Sequence, residues 1–203
     1  MNATFEDFDQ RQLRDALGTF VTGVTVVTTR DKDGVAHGVT ANSFCSVSLD
    51  PPLILWSQAL TSRSYSAFRD TEHFAVNILA EDQVAISNHF AKSRDDKFNG
   101  VAYRCGLGDV PVVDGAAAYL ECVKVESHLV GDHMLYIGRV ERIGKSLRQA
   151  LAFGGGKYMR ACSHGGDAYQ PLPFLSANFY RNECQEQGNQ KNSLLTAGDI
   201  NVQ

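Results

Sequence analysis

The chain has no excess of basic residues and no long apolar run. Its 203 residues contain 19 Lys and Arg against 23 Asp and Glu, so the formal net charge is −4. This balance does not favour nucleic acid or an anionic membrane as a partner, because both need basic patches. No apolar run approaches the roughly 20 residues of a transmembrane helix, and residues 1–7 lack the layout of a secretory signal. We therefore expect a cytoplasmic protein.

Cysteine is also scarce, and its spacing matches no common metal pattern. The five cysteines are widely separated, odd in number and never form a C-x-x-C pair. That spacing argues against a disulfide framework and for a reducing compartment. No H-E-x-x-H occurs, and His128 and His133 have no matching ligands nearby in the sequence. We expect no metal site and expect most cysteines to be small core residues.

Sequence signatures of three common enzyme classes are missing. Gly106-Leu107-Gly108 begins like a dinucleotide fingerprint, but Pro111 stands where the third glycine is needed. Gly156-Lys157 is preceded by no glycine at the first P-loop position and is followed by Tyr158. No G-x-S-x-G is present to support a serine hydrolase. These absences disfavour a Rossmann domain, a P-loop enzyme and a serine hydrolase.

The sequence does contain a series of β-branched runs separated by turns. Residues 21–29 predict a strand, residues 31–34 a turn and residues 37–49 the hairpin partner of that strand. Further strands are predicted over residues 53–56, 73–79, 116–128 and 134–143, with short helices near residues 61–68 and 82–90. Many strands, few helices and no regular strand–helix alternation predict a mainly β fold, a β-barrel with helical decorations.

The two ends of the chain differ from this central region. Thr4 and Asp7 resemble a capping box, and apolar residues between Phe5 and Phe20 recur at helical spacing. We expect an amphipathic helix there whose apolar stripe packs in the core. Residues 182–203 are polar and rich in Gln and Asn. We divide the chain into a domain over residues 1–162 and a C-terminal extension over residues 163–203, for which we consider an interface and a lid.

An unusual stretch runs over residues 38–52. It alternates apolar and hydroxyl residues and ends at Pro51-Pro52. Residues 40–43 are all small, and most carry hydrogen-bonding side chains. The pattern indicates a strand with one polar face, which is either a binding surface or an ordinary polar sheet edge.

Several short motifs follow one another along the chain. They are Leu17-Gly18-Thr19-Phe20-Val21-Thr22-Gly23-Val24-Thr25-Val26-Val27-Thr28, Gly38-Val39-Thr40-Ala41-Asn42-Ser43-Phe44, Val47-Ser48-Leu49-Asp50-Pro51-Pro52-Leu53, Phe74-Ala75-Val76-Asn77-Ile78-Leu79, Asp96-Lys97-Phe98, Gly131-Asp132-His133 and the run from Phe153 to Tyr158. Each motif is weak alone, but the set in this order resembles the short-chain flavin reductase family, whose fold is the FMN-binding split β-barrel. The resemblance covers about residues 5–160.

The resemblance implies a homodimer that transfers hydride from NADH or NADPH to FMN or FAD and supplies reduced flavin to a separate monooxygenase. In such a reaction the cofactors carry the chemistry, and the protein positions the two rings. The family match implies that Thr40, Ala41, Asn42 and Ser43 contact the flavin ring. Backbone amides and short polar side chains suit the negative charge that develops there.

The resemblance also implies a place for the flavin phosphate. Ser57, Ser62, Arg63 and Ser64 stand before a predicted helix and offer hydroxyls, a helix N-terminus and a guanidinium. An ordinary serine cap beside a solvated arginine accounts for the same residues equally well.

Four residues complete the expected site. Lys97 and Phe98 match the family's Lys-Phe pair near the flavin, and Tyr158 is expected to close the site. His133 matches the histidine of the family's Gly-Asp-His triplet, which implies contact with the nicotinamide and makes it the candidate catalytic residue. The alternative is a histidine that only caps the hairpin.

Two other functions stay open at this point. One is a flavoenzyme that retains its flavin and itself oxidises or oxygenates an organic substrate. The other is a split-barrel protein that binds flavin or haem without turnover. The related pyridoxamine phosphate oxidases are disfavoured because their basic phosphate-binding pattern is not evident. The sequence does not distinguish FMN from FAD or NADH from NADPH.

Overall fold

The computed structural model describes residues 8–94 and 96–162 of the chain. The expected cap at Thr4 and the expected extension over residues 163–203 lie outside these residues. The helices are α1 (Gln10–Gly18), α2 (Tyr65–Asp70) and α3 (Val84–Ala91). The strands are β1 (Thr22–Gly23), β2 (Thr25–Arg30), β3 (Ala36–Ala41), β4 (Cys45–Leu49), β5 (Pro52–Ala59), β6 (His73–Ile78), β7 (Tyr103–Cys105), β8 (Pro111–Val113), β9 (Ala118–Val130), β10 (His133–Lys145), β11 (Leu151–Gly154) and β12 (Lys157–Arg160).

The main sheet has seven strands and is closed by a short connection. Its strand order is β3-β2-β6-β9-β10-β5-β4, so β3 and β4 are its two edges although they are consecutive in the chain. In a flat sheet these edges would lie about 29 Å apart, at ~4.8 Å for each of the six spacings. The chain from Ala41 to Cys45 spans about 15 Å at most. The sheet must therefore curl, and the predicted mainly β, barrel-like fold is confirmed.

The curled sheet encloses an aromatic core. Trp56 of β5 is fully buried and stacks on Tyr136 of β10, with ring centroids 4.9 Å apart. Phe68 of α2 meets Trp56 edge-on at 4.9 Å, and Phe74 of β6 packs against the same rings. Val39, Ala41 and Phe44 contact this core from the β3 side. The interior is a packed hydrophobic cluster against which residues of both β3 and β5 lie.

A second layer covers one end of the barrel. Strands β1, β11 and β12 form a small sheet, and β7 pairs with β8. A second core lies beneath them, built from Val26, Leu79, Phe90 and Leu151, and Phe98 and Tyr158 pack against it. Helix α3 lies beside β3, and β12 contacts α3 through Tyr158.

Helix α1 differs from the prediction. It begins after Asp9, whose side chain accepts from the Gln12 amide at 2.7 Å while the Gln12 side chain accepts from the Asp9 amide at 2.8 Å. None of its residues is buried, and Leu17 and Phe20 are 64% and 77% exposed. The prediction that the apolar stripe packs in the core is therefore wrong for this chain, because the described residues of the stripe are exposed.

The predicted hairpin is correct in its turn and wrong in the length of its second strand. Asp31 and Gly34 close the turn between β2 and β3, with the Asp31 amide 2.9 Å from the Val35 carbonyl. Residues 37–49 do not form one strand. The chain leaves β2 after Ala41, crosses through residues 42–44 and pairs with β5 as β4. The strand predicted over residues 21–29 is divided into β1 and β2, and the long predicted strands correspond to β9 and β10, whereas β7, β8, β11 and β12 were not predicted.

The cysteines occupy different environments. Cys122 is buried, and burial raises the pKa of its thiol to about 12, whereas Cys45 and Cys162 are exposed. Cys105 is disulfide-bonded, which the expectation of reduced cysteines did not anticipate. Within the described ranges, no helix is long and apolar enough to cross a membrane. The same residues contain no cluster of three or more potential metal ligands among His, Cys, Asp and Glu.

Gly138 of β10 gives a direct test of the barrel packing. A Cβ at this position would overlap the Phe74 ring, which is itself buried in the aromatic core. We expect Gly138→Ala to lower the free energy of unfolding by about 1–3 kcal/mol through overpacking. The measurement is urea denaturation followed by tryptophan fluorescence.

Gly23→Ala is the matched control for this substitution. A Cβ at Gly23 meets no atom within 4 Å, so its effect should stay within about 0.5 kcal/mol. Equal stability of the two variants would contradict the packing of Phe74 against β10.

Candidate functional site

The crossing segment, residues 42–44, is held on one side by a reciprocal pair of hydrogen bonds. Ser43 Oγ donates to the Ser57 carbonyl at 2.9 Å, and the Ser57 amide donates to Ser43 Oγ at 3.0 Å. Thr40 Oγ1 donates to the Ser87 carbonyl at 2.7 Å. The hydroxyl protons of Thr40 and Ser43 therefore already have protein acceptors, which the sequence did not predict.

Backbone amides are the donors left in the crossing segment. Outside the strand ladders, the N–H groups of residues 42–44 form no backbone hydrogen bond with described residues. The side chain of Asn42 is exposed, and its amide group adds further hydrogen-bond donors to those of the backbone. A row of unpaired amides beside a partly buried strand suits a planar ligand with several acceptor atoms.

A cluster of hydroxyls follows β5. We call residues 61–64 the serine turn. Gln58 Nε2 donates to Ser62 Oγ at 3.1 Å and to Ser64 Oγ at 3.0 Å. Ser64 is buried and makes no capping hydrogen bond to α2. Ser64 therefore does not act as an ordinary serine cap. Its hydroxyl lies 3.2 Å from that of Ser62, and the exposed Arg63 stands between the two serines in the sequence.

His133 lies beside the serine turn. It pairs with Ala59 across β5 and β10, and the Leu60 amide donates to the Asp132 carbonyl at 3.0 Å. Its Nδ1 lies 2.7 Å from Asp132 Oδ1. The hydrogen bond from His133 holds the pKa of the Asp132 carboxyl below its usual value. With Nδ1 engaged, Nε2 of the half-exposed ring is the atom that can meet a ligand.

Lys97 and Phe98 lie on the other side of β3. The Lys97 ammonium donates to the carbonyls of Gly38 at 3.0 Å and Phe90 at 2.8 Å. Burial lowers the pKa of Lys97 because desolvation penalises its charged form. Phe98 meets the ring of Phe90 edge-on at 5.1 Å. Lys97 thus joins β3 to the end of α3 and keeps one ammonium proton for another acceptor.

Tyr158 of β12 is connected to β3 through α3. Its hydroxyl donates to Asn88 Oδ1 at 2.9 Å and lies 2.9 Å from Ser87 Oγ. The Ser87 carbonyl in turn accepts from Thr40. Tyr158 is therefore fixed by a short network that ends on the predicted ring-binding strand.

The predicted site residues fall into two groups on either side of residues 38–43. Ser57, the serine turn and His133 surround the end of β5, whereas Lys97, Phe98 and Tyr158 belong to the α3 side. No hydrogen bond or ion pair between described residues joins His133 directly to the α3 group. Among the described residues, the arrangement offers amides, hydroxyls and two cations but no paired nucleophile and base. It is suited to binding and orienting a polar planar ligand.

Three polar residues in this region were missed from the sequence. Gln58, Ser87 and Asn88 all bond to predicted site residues. Gln58 had a usable signal, since the alternation of Ile54 and Trp56 places residue 58 inside, where an amide is unusual. Ser87 and Asn88 begin a polar run that continues to His89 and interrupts a helix whose other residues are apolar, which is a weaker signal.

Comparison with known proteins decides the family. Residues 17–161 match the family described as flavin reductase like domain. The chain belongs to this family. As a flavin reductase-like protein it is 45% identical, over 81% of its length, to the reductase component of a flavin-dependent trigonelline monooxygenase from Acinetobacter baylyi. It is 41% identical, over 75% of its length and 86% of the relative, to the FMN reductase (NADH) SmoA of Agrobacterium fabrum.

A solved structure agrees with this assignment. The NADH:FAD oxidoreductase SgcE6 of Streptomyces globisporus, in complex with NAD and FAD fragments, superposes with a TM-score of 0.73 at 35% identity. The match covers 77% of this chain and 95% of that one. The predicted family is confirmed. The chain spans about half the length of the first curated relatives that it matches, 53% of one and 50% of another.

The Ser43–Ser57 pair of this flavin reductase-like domain can be tested by substitution. Ser43→Ala removes two hydrogen bonds between the crossing segment and β5. We expect a loss of about 1–2 kcal/mol in the free energy of unfolding, measured by denaturant titration.

Asn42→Ala is the control, because Asn42 is exposed and its side chain forms no hydrogen bond with a described residue. A loss for Asn42→Ala as large as that for Ser43→Ala would show that the reciprocal pair does not hold the segment.

Proposed function

We propose that this protein is an NADH-dependent flavin reductase that supplies reduced flavin to a partner monooxygenase. The relatives that carry the proposal are a monooxygenase reductase component, an NADH-dependent FMN reductase and an NADH:FAD oxidoreductase. The observation that carries it within the molecule is the set of amides at residues 42–44, which have no backbone acceptor in the described part of the chain and lie between a hydroxyl cluster and a half-buried lysine.

The residues present fit a flavin. A flavin ring presents several acceptor atoms along one edge, and the unpaired amides of the crossing segment match that need. A flavin phosphate needs donors, and Ser62, Ser64 and Arg63 supply hydroxyls and a guanidinium at the end of β5. Lys97 adds a positive charge on the α3 side. The flavin, when bound, supplies the hydride acceptor.

The protein's contribution is positioning. Residues 40–43 orient the ring, and the rigid contacts of Thr40 and Ser43 to Ser87 and Ser57 hold that segment in place. His133 presents Nε2 toward the nicotinamide, since its Nδ1 is held by Asp132. No residue serves as a covalent nucleophile in this account.

We also propose that the protein works as a homodimer. The apolar residues of α1 and of the segment after it support this, because Leu13 and Leu17 on the helix and Phe20 two residues beyond its end are all exposed. Exposed apolar patches of this kind mark interaction surfaces. A reaction that consumes NADH fits the cytoplasmic location expected from the sequence.

The direct test is an oxidation assay with NADH and NADPH, each offered with FMN, FAD and riboflavin. We expect steady-state NADH oxidation that depends on added free flavin, because the protein releases the flavin that it reduces. Flavin retained through gel filtration with negligible NADH oxidation on added flavin would overturn the proposal and favour a flavoenzyme with its own substrate. A bound chromophore without any NADH oxidation would overturn it in favour of a non-catalytic carrier.

The role of His133 is tested by His133→Ala. We expect kcat/KM for NADH to fall about tenfold, the effect of losing one hydrogen bond to the substrate. The dissociation constant of oxidised flavin should change by less than about twofold, because the ring donors lie in residues 42–44.

The matched control is His128→Ala. His128 lies on the same hairpin and is also exposed and bonded to a carboxylate, Glu126, at 2.9 Å. An unchanged kcat/KM in His133→Ala, or an equal fall in both variants, would remove His133 from the mechanism.

A further inference from the structure

Gln58 occupies an unusual position for a polar side chain. Along β5 the inward-facing residues are Ile54, Trp56 and Gln58, and Gln58 is only 3% exposed. Core strands place apolar side chains at such positions. A buried amide there costs stability unless its groups are hydrogen-bonded, so its presence needs an explanation.

The side-chain amide of Gln58 forms its hydrogen bonds with the serine turn. Nε2 donates to both Ser62 Oγ and Ser64 Oγ, while Oε1 is buried without a partner among described residues. The reverse orientation of the amide would leave two buried N–H groups without acceptors instead of one oxygen. The observed orientation is therefore the better satisfied one.

This orientation fixes what the two serines can do. Each serine oxygen already accepts a proton from Gln58, so its own hydroxyl proton must be donated elsewhere. The two oxygens lie 3.2 Å apart, and either one can donate to the other. At least one hydroxyl is then left as a donor to an outside acceptor. The side chain of Ser64 forms no capping hydrogen bond with α2.

We propose that Gln58 is a positioning residue that holds Ser62 and Ser64 as donors to the flavin 5′-phosphate. This inference rests on the proposed flavin reductase function. A phosphate monoester at neutral pH acts mainly as an acceptor, so serine oxygens that already accept from Gln58, with at least one hydroxyl proton left to donate, suit it. Gln58 thereby sets the phosphate-dependent part of flavin affinity and touches no reacting atom.

The test compares FMN with riboflavin, which lacks the phosphate. Dissociation constants are measured by quenching of flavin fluorescence for the unmodified protein and for Gln58→Leu. We expect Gln58→Leu to weaken FMN binding about tenfold, as for the loss of an oriented hydrogen bond to a charged group. Riboflavin binding should stay within about twofold, since riboflavin makes no phosphate contact. Gln58→Glu should weaken FMN further, because a carboxylate accepts from the serines and repels phosphate.

Gln83→Leu is the matched control. Gln83 is also buried, but its amide bonds to the Ala80 amide and the Asp114 carbonyl, away from the serine turn. The Gln83→Leu variant should have a lower thermal stability than the unmodified protein, but its ratio of FMN affinity to riboflavin affinity should be unchanged. If Gln58→Leu does not fold, Gln58→Met replaces it as a variant with an unbranched side chain.

The coupling to the serines gives a second readout. In a Ser62→Ala, Ser64→Ala background, adding Gln58→Leu should no longer change the ratio of FMN to riboflavin affinity. Equal weakening of FMN and riboflavin by Gln58→Leu, or no weakening of either, overturns the positioning role. If the unmodified protein neither binds nor reduces any flavin, the proposed function itself fails, which is a different result.

Discussion

Three residues carry the chain from one edge of the seven-stranded sheet to the other, and the rest of the structure depends on this crossing. Because β3 and β4 are sequence neighbours but opposite edges, the sheet has to curl around the core of Trp56 and Tyr136. The crossing also removes residues 42–44 from the strand ladders, and within residues 8–94 and 96–162 their amides have no backbone acceptor. The constraint that closes the barrel therefore also creates the donors of the candidate site.

The surroundings of the crossing are rigid for identifiable reasons. Ser43 and Ser57 exchange two hydrogen bonds, and Thr40 is tied through Ser87 to Tyr158. These bonds use up hydroxyl groups that would otherwise be free to bind a ligand. In return they hold the amide row in one geometry, which matters most for a reaction in which the protein positions two cofactors and contributes no reacting group of its own.

Much of the fold and part of the site could be predicted from the sequence. The β2–β3 turn and the long β9 and β10 strands follow from local composition, and the ordered motifs indicate the family. The break after Ala41 could not be predicted from local pattern, since residues 42–44 contain no proline or glycine and the break depends on long-range pairing. For the same reason the hydroxyls of Thr40 and Ser43 looked free in the sequence. The exposed stripe of α1 has the periodicity of a core helix, and periodicity alone does not say what covers it.

The most direct test of the account is a crystal structure of the protein with oxidised FMN. We predict the acceptor edge of the ring against the amides of residues 42–44, with the phosphate within hydrogen-bond distance of Ser62 Oγ or Ser64 Oγ. A flavin bound away from the crossing segment, or a phosphate held by residues outside the serine turn, would contradict the account.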